Sequence, residues 1–425
     1  MYWLYSIIMG AAFLAVLPKY VIEMRLLRGE PLRIAERLSL RRPSPKRNRP
    51  LVWIHAVSVG EALSLRTLLR EIRAAYPGWE IGFSALTNAG YAVAREKLKD
   101  VDRLFLVPVD VGWCVRRVFR RLRPDLFVLV ESEFWPRLLR EAEKKRCPVL
   151  LINGRISEHS HRRMRRYRFL SRRWLGKIAR FLVQTPLDRE RLESIGVDPA
   201  KIEVSGNLKC DVRLPVVAAV DLARLRGELG IGPGRKTVVA GSIHPGEERQ
   251  LLQAFREARR RRDDVLLILA PRHPDKFVEI ENEFAGGDLL LRRRTTLAPG
   301  ESWDVLLLDT IGELASFYAF SDAAFIGGSL VPHGGQNLLE PAFYGKAVFF
   351  GPSMENFIDL AKAFVLAGAA KVVSAPEELA EVFLFKDPEA IAEMGRRARM
   401  VLESLQGATR KTMAALAEFM ERADA

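Results

Sequence analysis

Short apolar runs recur along the chain, each followed by a stretch with helical spacing. Leu51–Ile54, Ile81–Ser84, Leu104–Val107, Leu126–Val130, Val149–Ile152, Phe181–Gln184 and Ile202–Val204 read as strands buried on both faces. The segments between them, such as Ala62–Tyr76 and Trp135–Lys145, read as helices that cover a sheet. The alternation lapses over Asp211–Gly234. It resumes at Thr237–Ala240 and continues through Val265–Leu269, Val305–Leu308, Ala323–Ile326 and Ala347–Phe350. Apolar strands joined by helical crossovers make parallel sheets. Two such series predict an α/β fold of two doubly wound, Rossmann-like domains facing a cleft. The first covers residues 31–212 and the second residues 213–425, with the last helix a candidate to pack back on the first.

The N-terminus departs from this pattern. Tyr2 to Leu17 contains no charge, and a bilayer-spanning helix needs roughly 17–25 apolar residues, so the run is of marginal length. A cleaved signal peptide would carry Lys or Arg before the run and small residues after it. Here Lys19, Arg25, Arg28, Arg33 and Arg37 all follow it. Residues 1–30 therefore read as an anchor segment that leaves the remainder on the cytoplasmic side, the other reading being a buried amphipathic helix. A basic, proline-broken linker follows from Arg41 to Pro50. No later segment is long and apolar enough to span.

Composition adds two constraints. With 48% hydrophobic and 28% charged residues the chain is neither disordered nor fibrous. Its three cysteines, Cys114, Cys147 and Cys210, are too scattered for a disulfide framework or a zinc site, which suits a reducing compartment. The net charge of +15 is unevenly spread: residues 1–212 hold 41 Lys/Arg against 22 Asp/Glu, and residues 213–425 hold 26 against 30. The basic half should meet something anionic.

Parallel sheets bind ligands at the carboxyl ends of their strands, and the motifs fall there. HAVSVGE (His55–Glu61) follows the first strand, and Glu61 either caps the next helix or acts as a base. ESEFWP (Glu131–Pro136) offers two carboxylates, Glu131 and Glu133, as an acid/base pair or as helix-start charges. In SGNLKCD (Ser205–Asp211), Lys209 either stabilises a developing negative charge or is a solvated hinge lysine. The second half carries GSIHPGEE with Ser242 and His244, APRHPDKF with Arg272 and His273, DTIGEL (Asp309–Leu314), FIGGSL with Gly327, Gly328 and Ser329, and HGGQNLLEP (His333–Pro341). Together they read as a nucleotide-phosphate cradle, with Glu340 as the carboxylate for a ribose or base. There is no GxGxxG fingerprint or Walker loop, which argues against a dehydrogenase or NTPase. Finally Arg162, Arg163, Arg165, Arg166, Arg168, Arg172 and Arg173 interleave with Met164, Tyr167, Phe169 and Leu170, a density that fits anionic head groups or nucleic acid.

In this order the motifs resemble the 3-deoxy-D-manno-octulosonic acid (Kdo) transferases of lipopolysaccharide synthesis, membrane-associated glycosyltransferases of the GT-B type. The likeness runs from the apolar N-terminus through HAVSVGE, ESEFWP, INGR (Ile152–Arg155), SGNLKCD, PRHP, DTIGEL, FIGGSL and NLLEP. It implies an inverting transfer of Kdo from CMP-Kdo to a phosphorylated lipid A precursor, lipid IVA, at the cytoplasmic face of the inner membrane. No cofactor or metal is implied, and nucleic acid is not a partner. Glu61 matches the family's proton acceptor, and Glu133 and Lys209 match its transition-state stabilisers. Arg272 and His273, Gly312, Glu313 and Leu314, and Asn337, Leu338, Leu339 and Glu340 match its CMP-binding positions. Two departures stand out: Arg137 where the family commonly has Asn, and Leu338 where it commonly has Pro. The rival readings are a lipid glycosyltransferase of the same type using another nucleotide sugar and, more remotely, a non-enzymatic nucleic-acid-binding protein.

Overall fold

The computed structural model describes residues 2–27, 31–40, 49–212, 214, 217–273, 276–284 and 288–424. Arg28 and most of the linker read at Arg41–Pro50 lie outside the described residues. The chain forms two compact units, one of residues 1–211 with 405–425 and one of residues 212–404.

The first unit is built on seven parallel strands: β1 (Leu51–Ala56), β2 (Glu80–Ala85), β3 (Arg103–Leu106), β4 (Leu126–Val130), β5 (Val149–Gly154), β6 (Arg180–Val183) and β7 (Ile202–Val204). Their order is β3-β2-β1-β4-β5-β6-β7. The chain thus starts mid-sheet, runs outward to β3, then returns to lay β4 against the free side of β1, with Val52 opposite Leu126. Adjacent side chains of a strand point to opposite faces. Leu51 and Trp53 accordingly enter one apolar layer with Phe119 and Phe127, while Val52 and Ile54 enter the other with Leu68 and Ile72. The helix Ala408–Asp424 completes the second layer through Ala415, Leu416 and Met420. Its start is fixed by the Asp211 carboxylate, which accepts the backbone N–H of Gly407 at 2.6 Å and that of Thr409.

The second unit repeats the plan with β8 (Lys236–Ile243), β9 (Val265–Pro271), β10 (Leu291–Arg293), β11 (Val305–Leu307), β12 (Ala323–Ile326), β13 (Ala347–Phe350) and β14 (Ala370–Val372). The parallel order is β10-β11-β9-β8-β12-β13-β14, so the reversal lies between β8 and β12. Where the chain reverses direction about its first strand, the loops at the carboxyl ends diverge and open a ligand crevice. In this chain those points are β1/β4 and β8/β12.

Four elements differ from the sequence reading. The edge strands β10 and β14 are only three residues each and are partly exposed, so neither carries a buried apolar run. The helix read at Ala62–Tyr76 is two helices, Val59–Ser64 and Arg66–Ala75, with Leu65 at the joint. The N-terminal apolar helix extends from Tyr2 to Val21 and continues as a π-helical turn, Ile22–Leu27. By length and composition it is able to cross a membrane.

Candidate active site

At the end of β1, Ser58 caps the helix Val59–Ser64. Its Oγ accepts the Glu61 backbone N–H at 3.2 Å and donates to Glu61 Oε1 at 3.0 Å, while the Val57 N–H donates to Glu61 Oε2 at 2.7 Å. Ser58 is thus the N-cap, and the Glu61 side chain reaches back to the N–H of Val57, one residue before it. The capping geometry suggested by the spacing is therefore present. It fixes both oxygens of a side chain only 7% exposed at the strand end. His55 of the same motif faces the core instead, with Nδ1 at 3.0 Å from the Ser84 hydroxyl, and burial pushes its pKa down to about 4.

β4 delivers Glu131 and Glu133 beside it. Glu131 holds a left-handed backbone, φ 60°, unusual for a side chain of this kind and of the sort that collects at functional sites. Burial raises the pKa of Glu131, the Glu61 charge adds to the rise, and Lys209 and Arg155 oppose it. Burial likewise pushes Glu133 up to about 7; the charges of Glu61 and Glu131 reinforce this, and the Trp135 indole N–H, donating to Oε2 at 2.9 Å, works against it. Three acids within electrostatic reach of one another, at least one half-protonated near neutrality, form a group able to hold and pass a proton.

Lys209 joins them. Its Nζ stands 4.0 Å from where a Cβ on Gly60 would be. Its short 3-10 turn is held by two amide side chains: the buried Asn153 accepts the Leu208 N–H at 3.0 Å, and Asn207 accepts the Lys209 N–H at 2.9 Å. A lysine so placed is not a loose hinge residue. Glu61, Glu133 and Lys209 are thus gathered at one point. Glu131, the other carboxylate of ESEFWP, belongs to the same group, as does Arg155, which was not picked out individually.

The second unit is less uniform. The Arg272 charge reaches Glu340, whose pKa burial raises, and Asn337 Nδ2 donates to Glu340 Oε1 at 3.3 Å. Leu338 and Leu339 point into the core, so only their backbone is available to a ligand. Glu313 turns aside to Thr310 and to Arg294, 3.6 Å away. His244 stacks on His333 with ring centroids 4.2 Å apart and meets His273 at 5.4 Å. Its Nε2 contacts Gln336 Nε2 at 2.9 Å, and burial, aided by its basic neighbours, lowers its pKa to about 4. His333 and Gln336, both within the HGGQNLLEP motif, enter the site through these contacts with His244.

The glycine turn calls for a correction. The backbone N–H groups of Gly328, Ser329 and Leu330 donate to Glu247 at 2.6, 2.9 and 2.9 Å, and the His244 N–H donates to it at 2.8 Å. Gly327 is there because a Cβ would lie 2.4 Å from the Ser242 carbonyl oxygen. The Ser329 hydroxyl is spent on the Ile326 carbonyl and the Gly351 N–H. The cradle read at Gly327, Gly328 and Ser329 is filled by an internal carboxylate, and its donors are not open to a phosphate.

The seven arginines lie on two short helices, Glu158–Arg166 and Arg168–Leu175. Arg162 pairs with Glu158, and Phe169 is 79% exposed among them. Among the described residues no cluster of His, Cys, Asp and Glu is arranged to hold a metal ion.

Residues 32–212 match the family model described as 3-deoxy-D-manno-octulosonic-acid transferase (kdotransferase). A 3-deoxy-D-manno-octulosonic acid transferase of Rickettsia felis is 30% identical over 333 residues, covering 78% of this chain and 70% of that protein. The chain belongs to the Kdo transferase family. A bifunctional glycosyltransferase/methyltransferase of Fusobacterium nucleatum is 36% identical over 316 residues, 73% of this chain, which spans about half of that relative (48%). The UDP-GlcNAc 2-epimerase of Neisseria meningitidis bound to UDP-GlcNAc aligns with a TM-score of 0.56 over 87% of this chain and 100% of its own, at 13% identity. That likeness is one of fold, and it sets the family member described here among GT-B-like pairs of doubly wound units.

Proposed function

We propose that this Kdo transferase family member moves Kdo from CMP-Kdo to a hydroxyl of a phosphorylated lipid A precursor at the cytoplasmic face of the inner membrane, with inversion at the anomeric carbon. The observation that carries the reading is the group at β1/β4, the buried Glu61 with the half-buried Glu131, Glu133 and Lys209, in a chain of this family. Glu61 accepts the proton of the acceptor hydroxyl as that oxygen bonds to the anomeric carbon. The bond from this carbon to the phosphate oxygen breaks, and its electron pair leaves with CMP. One displacement inverts the configuration. Lys209 and the protonated form of Glu133 stabilise the negative charge that develops. Arg272 and His273 take the phosphate by charge-assisted hydrogen bonds, with Glu340, Asn337 and the turn at Gly312 on the nucleoside.

The test is transfer itself. Purified protein given CMP-Kdo and a lipid A precursor should yield a product heavier by Kdo and release CMP. Release of a different nucleotide from a panel of sugar donors, with none from CMP-Kdo, would move the assignment to another donor. A Glu61→Gln protein that transferred at the native rate would return Glu61 to capping alone.

A further inference from the structure

The apolar helix Tyr2–Val21 has two sides. From Tyr2 and Ser6 through Met9, Phe13 and Leu17 to Tyr20, residues three or four apart are turned toward the first unit and partly or wholly covered. The rest is bare: Trp3, Leu4, Ile7, Ile8, Leu14 and Val16 are all exposed. Both ends are fastened. Near the start, Arg137 Nε donates to the Ser6 hydroxyl at 2.5 Å and the Arg140 guanidinium sits 4.3 Å from the Tyr2 ring centre. Near the end, the Tyr20 hydroxyl donates to the Leu32 carbonyl at 2.8 Å, and Asn88 Nδ2 lies 3.6 Å from Met24 Sδ.

A helix rises 1.5 Å per residue, so Ser6 and Tyr20 are separated by about 20 Å. Were the helix to cross the bilayer with the unit on one side, Ser6 would be carried that distance away from Arg137. The two attachments are incompatible with a crossing. The helix also touches the arginine-rich helices: Tyr5, on its partly covered part, meets Trp174 with ring centroids 6.3 Å apart, and that helix bears Arg168, Arg172, Arg173 and the exposed Phe169.

We propose that the N-terminal helix lies flat in the membrane interface. Its bare face sinks to the boundary between head groups and acyl chains, and the neighbouring arginines engage anionic lipid phosphates beside it. Arg137, a departure from the family pattern, is then the clasp that holds the helix down. The inference rests on the membrane attachment contained in the proposed function and adds its geometry.

Full-length protein carrying a protease-cleavable epitope ahead of Met1 is expressed, and sealed membrane vesicles are prepared with the catalytic body outward. A flat helix keeps the epitope on the body's side, so added protease should remove it without detergent, and alkaline carbonate should strip the protein from the vesicles. An epitope protected until detergent is added, with carbonate-resistant protein, overturns the proposal while leaving membrane attachment intact. The purified protein is also floated with vesicles of phosphatidylcholine and anionic phosphatidylglycerol. Ile8→Asp with Leu14→Asp should lower the floated fraction on the order of tenfold at an unchanged unfolding midpoint. Native protein that fails to float on such vesicles, or associates only with itself or another protein, removes the membrane reading along with its geometry.

Discussion

Each unit reverses its sheet about the first strand and sets a glutamate just past that strand, Glu61 in one and Glu247 in the other. The local devices are alike, since Glu61 takes the Val57 N–H and Glu247 the His244 N–H at the helix start. What the second strand of the reversal brings is different. β4 brings two more acids, so Glu61 has like charges for company and only two donors in hand. β12 brings a glycine turn whose amides converge on Glu247 until its oxygens accept four N–H groups. A carboxylate set among other acids with few donors is placed for chemistry, and one saturated by amides is a structural staple. The same residue type after the same strand is thus divided between chemistry and stability by its partner loop.

The contrast should appear as opposite phenotypes. Glu61→Gln is expected to lower turnover by roughly two to four orders of magnitude, the usual range for a lost general base, while the thermal midpoint moves little. Steady-state transfer beside a melting curve reads both, and a large loss of stability with normal turnover would erase the distinction. Glu247→Ala should do the reverse. It leaves several buried N–H groups without a partner, at about 1–3 kcal/mol each, so a total loss of at least about 3 kcal/mol is expected in denaturant unfolding of the full chain. If Glu247→Ala were as stable as the native protein yet could not bind CMP, the glycine turn would belong to the ligand after all.

Arg272→Ala sharpens the second site by asking what remains for an anion once the turn is excluded. A charge-assisted hydrogen bond is worth about 1.5–3 kcal/mol, so CMP affinity by calorimetry should fall roughly tenfold to a hundredfold. The smallest effect concerns Glu133. Its pKa rises on folding from 4.5 to about 7, so the folded state holds the proton more tightly. The associated stability is complete below pH 4.5 and is lost as the pH climbs through about 7. Glu133→Gln should flatten that part of the stability profile, and an unaltered slope would show that Glu133 is not the group titrating there.

Much of this was legible in the chain. Strands such as Leu126–Val130 and Ala323–Ile326 coincide with the observed elements because a fully buried parallel strand must be apolar throughout. β10 and β14 escaped notice because edge strands with one open side need no such run. The capping role of Glu61 was legible, since its partners Val57 and Ser58 lie within one turn. The role of Glu247 could not be read: a glycine turn awaiting phosphate and one fed by a glutamate some eighty residues earlier have the same local sequence. The link of His333 and Gln336 to His244 was hidden for the same reason, being long-range, although their motif was read.

The return of the helix Ala408–Asp424 to the first unit sets an order of events during synthesis. Residues 212–404 must all be translated before that helix exists. At about 5–20 residues per second this is a wait of roughly 10–40 s. Through that interval the nascent first unit carries an open groove where Ala415, Leu416 and Met420 will sit. The unit made first is therefore sealed last. A messenger broken anywhere upstream of this helix yields a polypeptide with an uncovered apolar surface, a ready target for chaperones and proteases, so the fold itself separates finished chains from truncated ones.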